Sequence, residues 1–71
     1  MTKREELSNP ASCMSRAKPD EMTFVLLARD VAAPETIRFW CSERIRLDKN
    51  APDDIQILEA LRCADEMERA K

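Results

Sequence analysis

The side chains best equipped for chemistry in this sequence are three central arginines, Arg29, Arg38 and Arg44, its single tryptophan, Trp40, and Asp30 beside the first arginine. An arginine presents a planar fork of donors that fits phosphate or carboxylate, and a tryptophan offers a flat face to a base or a guanidinium. Arg29 and Asp30 fall where an expected strand gives way to a helix, a position where clustered backbone amides help to hold an anion. Arg38, Trp40 and Arg44 lie on one expected helix, and about 100° of rotation per residue keeps them from facing one way together. A shared site would need two chains or the Arg29–Asp30 turn. The competing reading makes Trp40 a core residue and pairs the arginines with Glu35, Glu43 and Asp48 as surface ion pairs.

Catalysis has little to work with. There is no histidine to act as base, and no nucleophile with a recognisable partner. Asp53 and Asp54 read as helix-terminal acids, which the helix dipole favours, and Asp65, Glu66 and Glu68 read as a solvated helix face. Cys13, Cys41 and Cys63 form no CxxC pair, so neither a zinc site nor a disulfide framework is indicated. Cys41 and Cys63 sit among apolar helical neighbours and are expected to be buried, inert thiols. The chain is therefore expected not to be an enzyme and to use no cofactor and no metal.

The elements that would position these residues follow from the apolar pattern. Residues 1–18 carry few large apolar side chains in no periodic order and are expected to form a flexible N-terminal arm. Residues 19–71 are expected to form one small domain. Within it, the run from Met22 to Arg29, rich in Thr, Phe and Val, reads as a buried strand over 22–29, with a helix opening at Pro19 as its rival. Pro34 suits the first turn of a helix, and Ile37, Trp40, Cys41 and Ile45 recur at helical spacing, which predicts a helix over 34–48. Pro52, Asp53 and Asp54 mark a second start, with Asp53 and Gln56 spaced for a capping box, and Ile57, Leu58, Leu61, Ala64 and Met67 continue it over 53–70. The expected fold is α+β, a strand-helix-helix unit. If the 22–29 run is helical instead, the alternative is an all-α three-helix bundle.

A chain of 71 residues buries a small share of its surface and needs help to be stable. With disulfides and metal set aside, a partner chain remains. A lone strand also leaves its amides and carbonyls without a ladder, and pairing it between protomers would satisfy both copies, so a homo-oligomer, at least a dimer, is expected. Net charge is −2, which disfavours nucleic acid as a partner. The arginines concentrate centrally: residues 22–50 carry five basic groups against four acids, whereas residues 51–71 carry three against six. No apolar run reaches the ~20 residues of a membrane span, and the amino terminus lacks a signal-peptide core, so a cytoplasmic protein with no membrane contact is expected.

The stretches Phe24-Val25-Leu26-Leu27-Ala28-Arg29-Asp30, Ala33-Pro34, Ile37-Arg38-Phe39-Trp40, Asp54-Ile55-Gln56-Ile57 and Cys63-Ala64-Asp65-Glu66-Met67 together carry a resemblance. Over residues 19–69 the chain resembles a group of short, uncharacterised proteins encoded by tailed bacteriophages and prophages. The resemblance implies residence in a bacterial host cell and suggests a counter-defence role. By analogy with small homo-oligomers that hold nucleotide second messengers between protomers, the leading expectation is a sponge that sequesters a host immune nucleotide without cleaving it. In that reading Arg29, Arg38 and Arg44 contact phosphates, Trp40 stacks on a base, and Asp30 completes the site. The alternative is an inhibitor that covers a host defence enzyme, anchored by Phe39, Trp40 and Leu47, because aromatic residues dominate binding hot spots.

Overall fold

The computed structural model describes residues 2–70 and is helical, with four helical segments and no strand among the described residues. Two are short, α1 (Lys3–Ser8) and α2 (Cys13–Arg16), and two are long, α3 (Ala33–Arg46) and α4 (Ile55–Arg69). The α+β expectation is thereby corrected. Residues 22–27 carry no regular secondary structure and 28–29 turn, and no neighbouring strand pairs with them: between Glu21 N and Asp30 N no backbone amide finds an acceptor among the described residues. An extended backbone becomes a strand only through a ladder, and the β-favouring side chains of this run supply none. The rival helix is absent too, and the argument for an oligomer built on a shared strand lapses with the strand.

The arm expected over 1–18 holds α1 and α2, packed on each other. Thr2 caps α1, its Oγ1 accepting from Glu5 N at 3.2 Å. Ser12 caps α2 and is buried; its Oγ donates to the Glu6 carbonyl, while the Glu6 carboxylate accepts from Met14 N at 2.7 Å. Side-chain oxygens at helix starts satisfy amides that the first turn leaves unpaired, which is how such short helices persist.

Helix α3 replaces the expected 34–48 span. Its entry is built by Asp30, whose Oδ1 accepts from Ala32 N at 2.9 Å and whose carbonyl accepts from Ala33 N at 3.0 Å. Pro34 follows in the first turn, where its missing amide hydrogen costs nothing. The helix ends in a Schellman arrangement: Asp48 N donates to Ile45 O at 3.0 Å and Lys49 N to Arg44 O at 2.9 Å, with Asp48 left-handed at φ 57°. Glycine normally takes that position, but the chain has none.

Helix α4, expected over 53–70, starts two residues later. The Asp53–Gln56 capping box does not form, because Asp54 occupies the cap position and turns its carboxylate back onto the loop, accepting from Ala51 N at 2.9 Å. Gln56 instead accepts from Asn50 Nδ2 at 3.1 Å. Cys41 meets Ile57 and Arg38 reaches Asp65 and Glu68, so α3 and α4 run antiparallel as a hairpin. The core between them is thin: Ala33, Pro34, Cys41, Ile57 and Ala64 are buried, and Ile37, Ile45 and Leu61 only half so.

Candidate functional site

The hairpin has two unlike flanks. On the back, Arg38 binds three carboxylates at once: Glu35 one turn away on α3, and Asp65 at 2.8 Å and Glu68 at 2.5 Å on α4. Hydrogen bonds to Glu68, then to Asp65 and Glu35, hold the guanidinium charged far above its ordinary range. Arg38 therefore works as a clasp between helices. A phosphate would have to displace three anions to reach it.

On the front, Ile37 and Trp40 of α3 face Ala60 and Cys63 of α4 across a groove of about 500 Å³, closed on one side by Phe24 and Leu26. The extended segment thus straddles the front of α4. A second, broader depression of about 1130 Å³ separates that segment from α1 and α2. Leu26 is half-buried, but Phe24 is 85 % exposed and Met22 97 %, so the segment rests on the hairpin without sealing it.

At the rim of the front groove, Arg44 lies over the Trp40 ring, 5.7 Å from its centroid, a cation–π contact. Its Nε donates to Asn50 Oδ1 at 2.7 Å, and Asn50 Nδ2 donates on to Asp54 at 3.1 Å. This network ties the end of α3 to the start of α4. Asn50 carried no signal in the sequence beyond its place before a proline-containing turn.

Of the five residues expected to form one ligand site, the structure brings together only Trp40 and Arg44. Arg38 is on the opposite flank, committed to carboxylates. Asp30 is spent on the entry turn of α3. Arg29 is exposed in the preceding turn and makes no ion pair among the described residues. The anchors of the alternative reading also divide. Trp40 opens on the groove, whereas Phe39, 67 % exposed, and Leu47, 52 % exposed, stand on the outer side of the hairpin. Of the groove residues, Phe24 and Leu26 belong to the expected strand and Glu59 was expected to pair with Arg62, which pairs with Glu66 instead; an apolar run that fails to find strand partners is the signal that points to Phe24 and Leu26.

Arg46 and Glu43 pair at 2.7 Å, and the hydrogen bond from Arg46 holds the Glu43 carboxyl below its usual range. Burial pushes the Cys41 thiol up from its ordinary value, away from thiolate character. No cluster of metal-ligating side chains occurs among the described residues, and no helix among them is long and apolar enough to cross a membrane. Compared with known proteins, the chain matches no family model, no curated protein and no solved structure.

Proposed function

We propose that this chain is a non-catalytic, protein-binding protein that acts by covering the surface of a host protein, in keeping with the resemblance to phage-encoded proteins. One observation carries the reading. The chain exposes 6029 Å², whereas a compact monomer of 8.2 kDa exposes about 4,500 Å². The surplus of about 1,500 Å² is close to twice the ~800 Å² that each partner contributes to a standard interface. Met22, Phe24, Val31, Phe39, Leu47 and Ile55 are large apolar side chains left exposed. Large exposed apolar and aromatic side chains of this kind supply the anchors of protein interfaces.

Host contact is assigned to the outer side of α3, where Phe39 and Leu47 stand clear of the groove with Glu43 and Arg46 already paired beside them. Nucleotide sequestration draws support from Arg44 over Trp40 alone, since Arg38 is held by three carboxylates and Asp30 by a turn. The test is affinity purification of the intact chain from bacterial cells beside its Phe39→Ala and Leu47→Ala variants. A stoichiometric host protein whose recovery falls by roughly tenfold or more in either variant is the expected result for hot-spot residues. Equal recovery in all three argues against this surface.

A further inference from the structure

We propose that Cys13 and Cys63 are the two halves of a reversible redox latch, a disulfide that fastens the α1–α2 pair to α4 and draws shut the depression between them. The latch goes beyond the host-covering reading and does not depend on it.

The structure holds all three cysteines as thiols and sorts them by place. Cys41 is buried in the hairpin, its Sγ against the Ile57 carbonyl. Cys13 and Cys63 instead line one depression, Cys13 on the α1–α2 wall and Cys63 on the α4 wall. Cys13 is exposed and Cys63 intermediate, so a small reagent can reach both. Arg16 donates from Nη2 to Cys13 Sγ at 3.6 Å. Its fixed positive charge beside the more exposed thiol attracts an anionic disulfide such as glutathione disulfide.

A disulfide requires its two Cα atoms to come within about 7 Å, so forming one here brings the walls together. Little in the fold opposes that approach. Helices α1 and α2 pack on each other but on neither α3 nor α4, and residues 17–32, which hold no helix or strand, join the two pairs. Closure also covers apolar side chains standing on the opposed walls, Leu7 and Met14 on one and Met67 on the other.

The exchange balances with a low-molecular-weight disulfide as oxidant. The Cys13 thiolate attacks one of its sulfurs, forming a mixed disulfide and releasing one thiol. The Cys63 thiolate then attacks Cys13 Sγ, forming the protein disulfide and releasing the second thiol. Two protein thiols give up two electrons and two protons, and one disulfide takes them up as two thiols. Excess thiol runs the sequence backwards and opens the latch.

Equilibration of the dilute, full chain with a glutathione and glutathione disulfide buffer, followed by acid quenching and mass spectrometry, tests the proposal. The intact mass is expected to fall by two hydrogens, and peptide mapping to find the Cys13–Cys63 link at least tenfold more abundant than any other pair. Cys63→Ser should leave Cys13 stranded as its glutathione adduct, whereas Cys41→Ser should change nothing. In denaturing urea the preference for this pair should vanish. A native chain that stops at the glutathione adduct, links Cys13 to Cys41 or to a second copy, or keeps the same preference in urea overturns the proposal. Recovery of a host protein through Phe39 is expected to be the same for Cys13→Ser, so failure of the latch and failure of the proposed function are read separately.

Discussion

Arg38 shows how far a side chain's neighbours decide what it does. The same guanidinium that suits a phosphate is held by Glu35, Asp65 and Glu68. The first of these contacts was legible, being three residues along one helix, as was the Arg46–Glu43 pair. The other two were not, since they lie 27 and 30 residues away and arise only when α3 and α4 fold together. The thiols divide in the same manner. Cys41 was expected to be buried and is 2 % exposed; Cys63 is intermediate and Cys13 exposed. Timed labelling with a thiol reagent should therefore modify Cys13 first, Cys63 more slowly, and Cys41 only as the hairpin unfolds. Fast labelling of Cys41 in the folded protein would mean that the α3–α4 contact is not the stable core.

Among the elements, α3 and α4 were legible because prolines punctuate their starts and apolar residues recur at the helical period. The helix starting at Lys3 carried its own signal, Thr2 and Glu5 spaced as a capping box, obscured by the scarcity of apolar residues around it. The box foreseen at Asp53 and Gln56 failed because the cap lies one residue later, at Asp54. Asp48 marks where local energetics have been left short of optimal: it adopts φ 57°, a conformation that costs a non-glycine residue about 1 kcal/mol. Asp48→Gly should thus raise stability by about 0.5 kcal/mol after the greater freedom of glycine in the unfolded chain is set against that gain. Urea unfolding checks this through a higher midpoint at an unchanged slope; a lower midpoint would show that the Asp48 side chain contributes more to the turn than its backbone strain removes.

Taken whole, the molecule is more open than its length requires. Its radius of gyration is 12.6 Å, against about 11 Å for a compact chain of 71 residues. The strand expectation failed at this scale: Met22–Arg29 has the composition of a strand, but composition cannot create the second strand that a ladder needs, and the segment lies across the front of α4 instead. The same lack of internal partners leaves apolar surface uncovered, and this surface, more than any single side chain, carries the functional reading. The most direct test is native mass spectrometry of the protein freshly purified from bacterial cells. The account predicts a fraction of the protein carrying the mass of a host protein, and no retained nucleotide. A small anionic mass of nucleotide size held by the bulk of the protein, with no protein partner, would contradict it and return the question to sequestration.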